Sequence, residues 1–160
     1  MLRISIESPD DTQEVEYLYD LAFAPGRQAL SSYRLRDGVP PVTGLCMVAR
    51  GEEGALAGAI RYWPVQIEGA KALLLGPIAV HPTRQGEGVG AELVEASLAR
   101  AEALGWQRVL LVGDAPYYKR FGFLKVEGVE MPPPTNPERV LGRALVTGAF
   151  DGVGGRVRQV

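Results

Sequence analysis

The sequence predicts an α/β domain built on a mixed, mostly antiparallel sheet flanked by helices. Three strand-like runs follow one another with only turn signals between them, at Leu45–Arg50, Leu56–Ile67 and Ala72–Val80. This succession is typical of an antiparallel meander. An amphipathic helix at Ala91–Leu104 then ends at Gly105 and leads into a strand at Val109–Val112. A strand, a helix and a strand in that order are expected to cross over right-handed and form a parallel pair.

The segments before the meander predict one strand and two helices. Alternating residues indicate a short strand at Arg3–Glu7. A helix is expected at Thr12–Ala24, with Asp10 or Asp11 as its N-cap. A second helix is expected at Arg27–Arg36.

The chain after the meander predicts a break and a last strand. Prolines interrupt it at positions 132, 133, 134 and 137, and a strand is expected near Ala144–Thr147, followed by a glycine-rich tail. At 160 residues, the chain is long enough for one domain with a substantial core over 1–160. We expect the core at 1–128, a proline-rich connection at 131–137, and a C-terminal strand and tail at 138–160.

The composition limits the classes of partner and site. Nineteen acidic residues against seventeen basic ones, without a basic block, argue against nucleic acid or an anionic membrane as partner. Cys46 is the one cysteine and His81 the one histidine, so no internal disulfide and no metal cluster is expected. The first residues do not resemble a signal peptide and no apolar run approaches membrane-spanning length, so we expect a soluble cytoplasmic protein.

A glycine-rich loop between a strand and a helix predicts a phosphate site. Gly86, Gly88 and Gly90 let a ligand approach the main chain closely. The unpaired N–H groups of the following helix point into this loop, where the helix dipole favours an anion. We therefore interpret residues 85–90 as a phosphate cradle.

Two known phosphate loops compare differently with this segment. A P-loop needs a lysine and a hydroxyl residue after its last glycine, and Val89 and Ala91 stand nearby instead. The dinucleotide fingerprint is satisfied by Gly86, Gly88 and Ala91, with Asp114 about 20 residues further on, where the ribose-binding acid is expected. A dinucleotide-binding fold needs its glycines directly after the strand, whereas five residues separate the two here. The fingerprint therefore remains only an alternative interpretation.

Two motifs together carry a more specific resemblance. Val80-His81-Pro82 precedes Gln85-Gly86-Glu87-Gly88-Val89-Gly90, and an aromatic pair, Tyr117-Tyr118, precedes Phe121-Gly122-Phe123. In this order they resemble the acetyl-CoA signature and the second motif of the GNAT superfamily of N-acetyltransferases, in its YhbS-like branch. The resemblance covers roughly residues 1–125 and is loose after Met131.

The resemblance implies the GNAT fold, with about seven strands and a bulged fourth strand that splays from the fifth. The pantetheine arm of CoA would lie in that wedge, and the bulge would explain why Gly76-Pro77 interrupts a strand-like run. The alternative explanation for this pair is an edge strand whose proline faces water. The residues that it places at acetyl-CoA are Ile78, Ala79, Val80, Arg84, Gln85, Gly86, Glu87, Gly88, Val89, Gly90, Asp114, Tyr117 and Tyr118. An exposed position in the loop, without contact to the cofactor, would explain Arg84 equally well. For Asp114 we favour the role of a helix N-cap.

Tyr118 is the predicted general acid, because family members place a tyrosine hydroxyl near the CoA sulfur four residues before the glycine that Gly122 matches. Tyr117 is the rival for this role. For the general base, Glu68 is a weak candidate that suits a turn, and His81 is expected on the surface. No metal is predicted.

The resemblance implies transfer of acetyl from acetyl-CoA to a primary amine of a small molecule or peptide, by direct attack in a ternary complex. The acceptor would meet residues from the first two helices and the third strand, namely Phe23, Arg27, Tyr33, Arg61 and Trp63, although the aromatic ones also suit a core. A CoA-binding sensor without turnover is the alternative, and an NAD-dependent oxidoreductase is a third interpretation. Dimerisation is common in the family, so a homodimer is compatible with the sequence.

Overall fold

The computed structural model describes residues 2–23 and 31–160. The strands in this part of the chain are β1 Arg3–Ile6, β2 Met47–Arg50, β3 Leu56–Ile67, β4 Ala70–Val80, β5 Arg108–Val112, β6 Leu124–Lys125, β7 Val129–Glu130, β8 Val140–Ala144 and β9 Gly155–Gln159. The α-helices are α1 Thr12–Phe23, α2 Val89–Ala103 and α3 Ala115–Tyr118. Short 3-10 turns lie at Pro9–Asp11, Ser31–Leu35, Pro82–Arg84, Lys119–Phe121 and Pro137–Arg139.

The strands form one mixed sheet in the order β1-β2-β3-β4-β5-β8-β6, and β9 pairs with the far end of β3 and with β7. The predicted meander is confirmed, because β2, β3 and β4 pair antiparallel in succession. The predicted parallel pair is confirmed as well, since β4 and β5 run parallel at Leu73 and Leu74. An all-parallel sheet, which a dinucleotide-binding fold needs, is not what these residues form.

Helices cover both faces of the sheet, and each buries a separate group of apolar side chains. On one face α2 packs Leu93 and Val94 against Ile60 and Leu73 of the central strands. On the other face α1 packs Val15, Leu18 and Tyr19 against Val48, Ala59 and Ala79. The alternation of side chains along β3 and β4 produces this division, because neighbouring residues of a strand point to opposite faces.

Strand β4 contains the break that Gly76-Pro77 predicts. The register with β3 changes between Ile60 and Tyr62, so Gly76 and Pro77 together oppose the single residue Arg61. Gly76 has a φ of 132°, a conformation that favours glycine. The alternative of an edge strand is wrong, because β4 lies between β3 and β5 in the sheet.

Two helices differ from the predictions. The predicted second helix is described only from Ser31, where a 3-10 turn ends at Leu35, and Arg27 lies outside the described residues. Helix α2 begins at Val89 rather than Ala91, because Gly88 takes a left-handed conformation and serves as the N-cap.

The last strand and the tail also differ. The prediction of a strand at Ala144–Thr147 is wrong: β8 ends at Ala144, and two turns follow, with hydrogen bonds from Ala149 N to Val146 O and from Asp151 N to Gly148 O. The glycine-rich tail then enters the sheet as β9, whose Val157 pairs with Ile67. Val157 is buried in the core.

Candidate active site

The glycine-rich loop forms an open turn at the start of α2, which we call the cradle (residues 85–90). Gly86 and Gly88 have φ values of 83° and 80°, and a Cβ added to either would meet no heavy atom within 4 Å. In the described part of the chain, the N–H groups of Gly86, Gly88 and Gly90 donate to no acceptor. Main-chain N–H groups at the positive end of a helix dipole fit a phosphate group.

Gln85 of the cradle and Arg84, which precedes it, both have partners close to the loop. Gln85 donates from Nε2 to the carbonyl oxygen of Val80 over 3.2 Å, which ties the cradle to the end of β4. Arg84 donates from Nε to Glu87 Oε1 over 2.7 Å, so its charge is already offset within the loop. Val89 is buried in the core, so its side chain is not available to a ligand.

Beyond the cradle, β4 and β5 separate and leave a wedge. The two strands pair only at Leu73 with Val109 and at Leu74 with Leu110, and then diverge. A cleft of about 470 Å³, which we call the wedge cleft, occupies this space. Its lining residues are Phe23, Tyr33, Arg36, Leu74, Leu75, Gly76, Pro77, Ile78, Leu111, Val112, Gly113, Asp114, Tyr117, Tyr118 and Arg139.

The backbone of β4 presents alternate residues to this wedge. His81 N donates to Ala57 O, on the β3 side of the strand. Since the hydrogen-bonding groups of an antiparallel strand alternate between its two edges, those of Ile78 and Val80 face away from β3. Those of Ala79 face β3, and its side chain is buried on the α1 face, so the structure does not place Ala79 at the cleft as predicted.

Two side chains hold the carbonyl groups of the β4 bulge. The Tyr19 hydroxyl on α1 donates to Pro77 O over 2.9 Å, and the Trp63 indole Nε1 on β3 donates to Gly76 O over 2.8 Å. Tyr19 is fully buried. The bulge is thereby fixed to both the neighbouring strand and the helix above it. From the sequence, Trp63 was predicted only as a residue that contacts the substrate accepting the acetyl group. Tyr19 was not predicted, and its place on the inner face of α1 was the only signal for it.

The tyrosine pair stands on the opposite wall of the wedge cleft, on α3. Asp114 caps this short helix by accepting a hydrogen bond from Tyr117 N over 3.3 Å, which is the role that the sequence favoured. The Tyr117 and Tyr118 rings meet edge to face at 5.0 Å. A Cβ on Gly113 would lie 2.7 Å from the Tyr118 ring, so the glycine makes room for that ring.

The two tyrosines lie in different surroundings. The Tyr117 hydroxyl lies 3.5 Å from the position that a Cβ on Gly90 would take, so it stands at the cradle. The Tyr118 ring packs on Phe123 with 6.0 Å between centroids, and burial raises the pKa of its phenol to about 12. Tyr118 is therefore a protonated hydroxyl in the wall of the cleft at neutral pH.

The remaining predicted residues are distributed between the wedge cleft and its surroundings. Phe23 and Tyr33 line the wedge cleft, while Arg61 and Trp63 line a neighbouring cavity. Arg36 lines both of these spaces and was not singled out from the sequence, where nothing distinguishes it from other arginines.

Glu68, the weak candidate for the general base, and His81, which was expected on the surface, both lie outside the two spaces. Glu68, at the turn between β3 and β4, accepts a hydrogen bond from Arg156 N over 3.1 Å. His81 accepts from Thr83 N over 3.2 Å and caps an exposed turn.

Burial raises the pKa of the Cys46 thiol to about 11, which leaves it a poor nucleophile.

Within the described residues, 2–23 and 31–160, no helix combines the length and the apolar character that crossing a membrane requires. The same residues also contain no group of three or more His, Cys, Asp or Glu residues able to hold a metal ion.

The splayed sheet and the helix-capping cradle define an acyltransferase of the GNAT type, and the comparisons agree. A family model described as an acetyltransferase (GNAT) domain matches residues 43–125. The N-acetyltransferase YhbS of Escherichia coli, itself uncharacterized, is 30% identical over 122 residues, which are 75% of this chain and 72% of YhbS. The chain belongs to the GNAT family of acetyltransferases.

Two solved structures are similar over nearly the whole chain. The crystal structure of Escherichia coli YhbS in complex with CoA has a TM-score of 0.85 at 27% identity, and the match covers 99% of this chain and 89% of that one. A GNAT acetyltransferase from Brucella melitensis in complex with acetyl-CoA has a TM-score of 0.67 at 33% identity, and the match covers 94% and 99%. The predicted GNAT fold is confirmed.

The hydroxyl of Tyr19 provides a test of the bulge. Tyr19→Phe should lower the free energy of unfolding by about 1 kcal/mol, because the Pro77 carbonyl loses its donor inside the protein. Urea denaturation measures this loss. Tyr17→Phe is the matched control on the same helix, with a side chain 66% exposed, and should change stability by less than about 0.5 kcal/mol. Equal losses in the two variants would contradict the assigned hydrogen bond.

Proposed function

We propose that the protein transfers an acetyl group from acetyl-CoA to a primary amine of a small molecule or peptide, with both substrates bound together. The observation that carries this proposal is the wedge cleft, which lies between the β4 bulge and Tyr118 and is lined by Tyr117, whose hydroxyl stands at Gly90 of the cradle. The complexes of its relatives with CoA and acetyl-CoA support the same cofactor here. The near-balanced charge gives no reason to expect a nucleic-acid partner.

The cradle and the β4 edge would hold acetyl-CoA. The N–H groups of Gly86, Gly88 and Gly90 fit its pyrophosphate, because they have no acceptor within the described chain. The main-chain groups of Ile78 and Val80 face the wedge and suit the amides of its pantetheine arm. Val80 O already accepts from Gln85, so the Val80 N–H and the Ile78 groups are the better candidates.

Acetyl-CoA supplies an activated acetyl group, because its thioester sulfur can depart as the amine nitrogen bonds to the acetyl carbon. The Tyr118 hydroxyl would give its proton to that departing sulfur, and the proton that the amine nitrogen loses on bonding would pass to solvent water, from which the Tyr118 oxygen would regain its proton. Burial raises the pKa of Tyr118 to about 12, so the group loses its proton only as the pH rises toward that value. The acid form is consequently present throughout the neutral and moderately alkaline range.

The wall of the wedge cleft also argues against a binding module without turnover. The Tyr118 hydroxyl makes no hydrogen bond to another described residue, and the side chain lines the wedge cleft. A site that only held CoA would need the shape of the ring and not its hydroxyl. Ring contacts with Tyr117 and Phe123 already fix that shape.

The role of Tyr118 can be tested by removing its hydroxyl. Tyr118→Phe should lower the amine-dependent release of CoA thiol about 100-fold, the lower end of the usual contribution of a general acid. The dissociation constant for acetyl-CoA, measured by calorimetry, should stay within about threefold of the wild type because the ring remains in place.

Tyr117→Phe is the matched variant for this experiment. Its hydroxyl lies at Gly90 in the cradle, so its loss should affect the KM for acetyl-CoA more than the turnover number. If Tyr117→Phe abolished turnover and Tyr118→Phe did not, the acid would be Tyr117 and our assignment of the two tyrosines would be reversed.

The cradle can be tested with two glycines that share one conformation. Gly88→Ala and Gly105→Ala both place a Cβ at positive φ, 80° and 91°, with no heavy atom within 4 Å, so both should lose about 1 kcal/mol of stability. Only Gly88 lies in the cradle, whereas Gly105 follows the opposite end of α2. Calorimetry should therefore show an affinity for acetyl-CoA that is about tenfold weaker in Gly88→Ala and unchanged in Gly105→Ala. A tenfold loss corresponds to about one charge-assisted hydrogen bond. Unchanged affinity in Gly88→Ala would contradict the cradle as the phosphate site.

A further inference from the structure

A second cavity, of about 450 Å³, continues the wedge cleft on the α1 side of the sheet. The two spaces share three lining residues, Tyr33, Arg36 and Pro77. Because Pro77 belongs to the β4 bulge, a molecule in the second cavity would contact the bulge, in the part of β4 that has already separated from β5. The second cavity is thus placed to hold the acceptor, an inference that rests on the proposed function.

One arginine in the wall of this cavity is bound by the protein's own carboxylates. Arg61 donates from Nε and Nη2 to the two carboxylate oxygens of Glu7, over 3.0 and 2.8 Å, and from Nη1 to Glu16. The Glu7 carboxylate is itself almost completely buried. Arg61 therefore contributes to the shape of the wall, and its charge is compensated before any ligand arrives.

Arg36 is held in a different way. Its Cζ lies 4.4 Å from the centre of the Tyr33 ring and 5.9 Å from that of Trp63, so the guanidinium is packed against two aromatic rings. Its Nη2 lies 3.1 Å from the position that a Cβ on Gly76 would take, directly against the bulge. The side chain is buried and lines both cavities. A fixed, buried cation thus stands where the acceptor space meets the wedge cleft.

We propose that Arg36 binds a carboxylate of the acceptor, so that the acceptor is a small amino-carboxylate of the amino-acid type. A guanidinium is planar, always charged, and matches a carboxylate with two parallel hydrogen bonds. Stacking on Tyr33 and Trp63 fixes its plane, and water-poor surroundings strengthen the interaction. Since Arg36 touches both cavities, an amine only two bonds from the bound carboxylate lies at the mouth of the wedge cleft.

The other charges of the second cavity are compatible with this class of acceptor. Arg34 is exposed at the rim, and its Nη1 donates to Pro133 O over 2.7 Å. Asp37 is exposed as well, and Glu16 is bound to Arg61. Of the three residues that line both cavities, Arg36 is the charged one, so the charge that the two spaces share is positive.

The test compares amino acids with their carboxamides as acceptors, using acetyl-CoA and the release of CoA thiol. Each pair has the same side chain and differs at the carboxylate, which the amide replaces with a neutral group. We expect the wild type to use the preferred amino acid at least about tenfold better in kcat/KM than its amide. Arg36→Gln should remove that preference while leaving the KM for acetyl-CoA within about threefold, and Arg36→Lys should keep part of it because the charge remains.

Arg34→Gln is the control, since it removes a cation two residues away at the rim and should retain the preference for the acid. Thermal melting of the CoA-saturated protein, with and without each ligand, provides a readout that needs no turnover and detects a variant that fails to fold. If the wild type acetylates neutral amines as well as amino acids, or if Arg36→Gln weakens acetyl-CoA and keeps the acid preference, the inference about Arg36 is overturned and the proposed function stands. If acetyl-CoA does not bind at all, the proposed function itself fails.

Discussion

Strand β4 must pair with β3 along its whole length and yet leave β5 after two residues, and the bulge at Gly76-Pro77 makes both possible. Two hydrogen bonds hold this bulge, from Tyr19 on α1 and from Trp63 on β3. A carbonyl group inside a protein needs a donor, so these side chains stabilise a backbone path that would otherwise be costly. The wedge cleft exists because that path is fixed.

The same contacts connect the two halves of the site. On one side of the bulge, the wedge cleft is lined by Ile78 and by Tyr117, whose hydroxyl stands at Gly90 of the cradle. On the other side, the Trp63 and Tyr33 rings hold Arg36 at the entrance to the second cavity. In our proposal, cofactor binding and acceptor recognition thus depend on one short stretch of β4, with Tyr118 on the opposite wall.

Much of this arrangement could be predicted from local sequence. The turn signals around β3 and β4 and the helix after Gly88 determine the meander and the crossover, because the residues that define them are adjacent in the chain. The cradle and the tyrosine pair could be found for the same reason. The Gly76-Pro77 break was visible as well, since proline cannot donate within a ladder.

What could not be predicted depends on contacts between distant residues. Tyr19 and Pro77 are 58 positions apart, and no pattern in either segment indicates their hydrogen bond. Arg36 and Arg61 look alike in sequence, and only the fold shows that Glu7 and Glu16 bind one while aromatic rings hold the other. Strand β9 was missed because it presents a single inward apolar residue, Val157, among glycines and arginines.

A crystal structure of the protein with bound acetyl-CoA tests the central claim most directly. Our account predicts the pantetheine arm between β4 and β5, with main-chain hydrogen bonds to Ile78 or Val80. It also predicts the pyrophosphate within hydrogen-bonding distance of the cradle N–H groups and the thioester sulfur beside the Tyr118 hydroxyl. A structure in which acetyl-CoA binds outside the wedge cleft, or in which β5 closes onto β4 beyond Leu74, would contradict it.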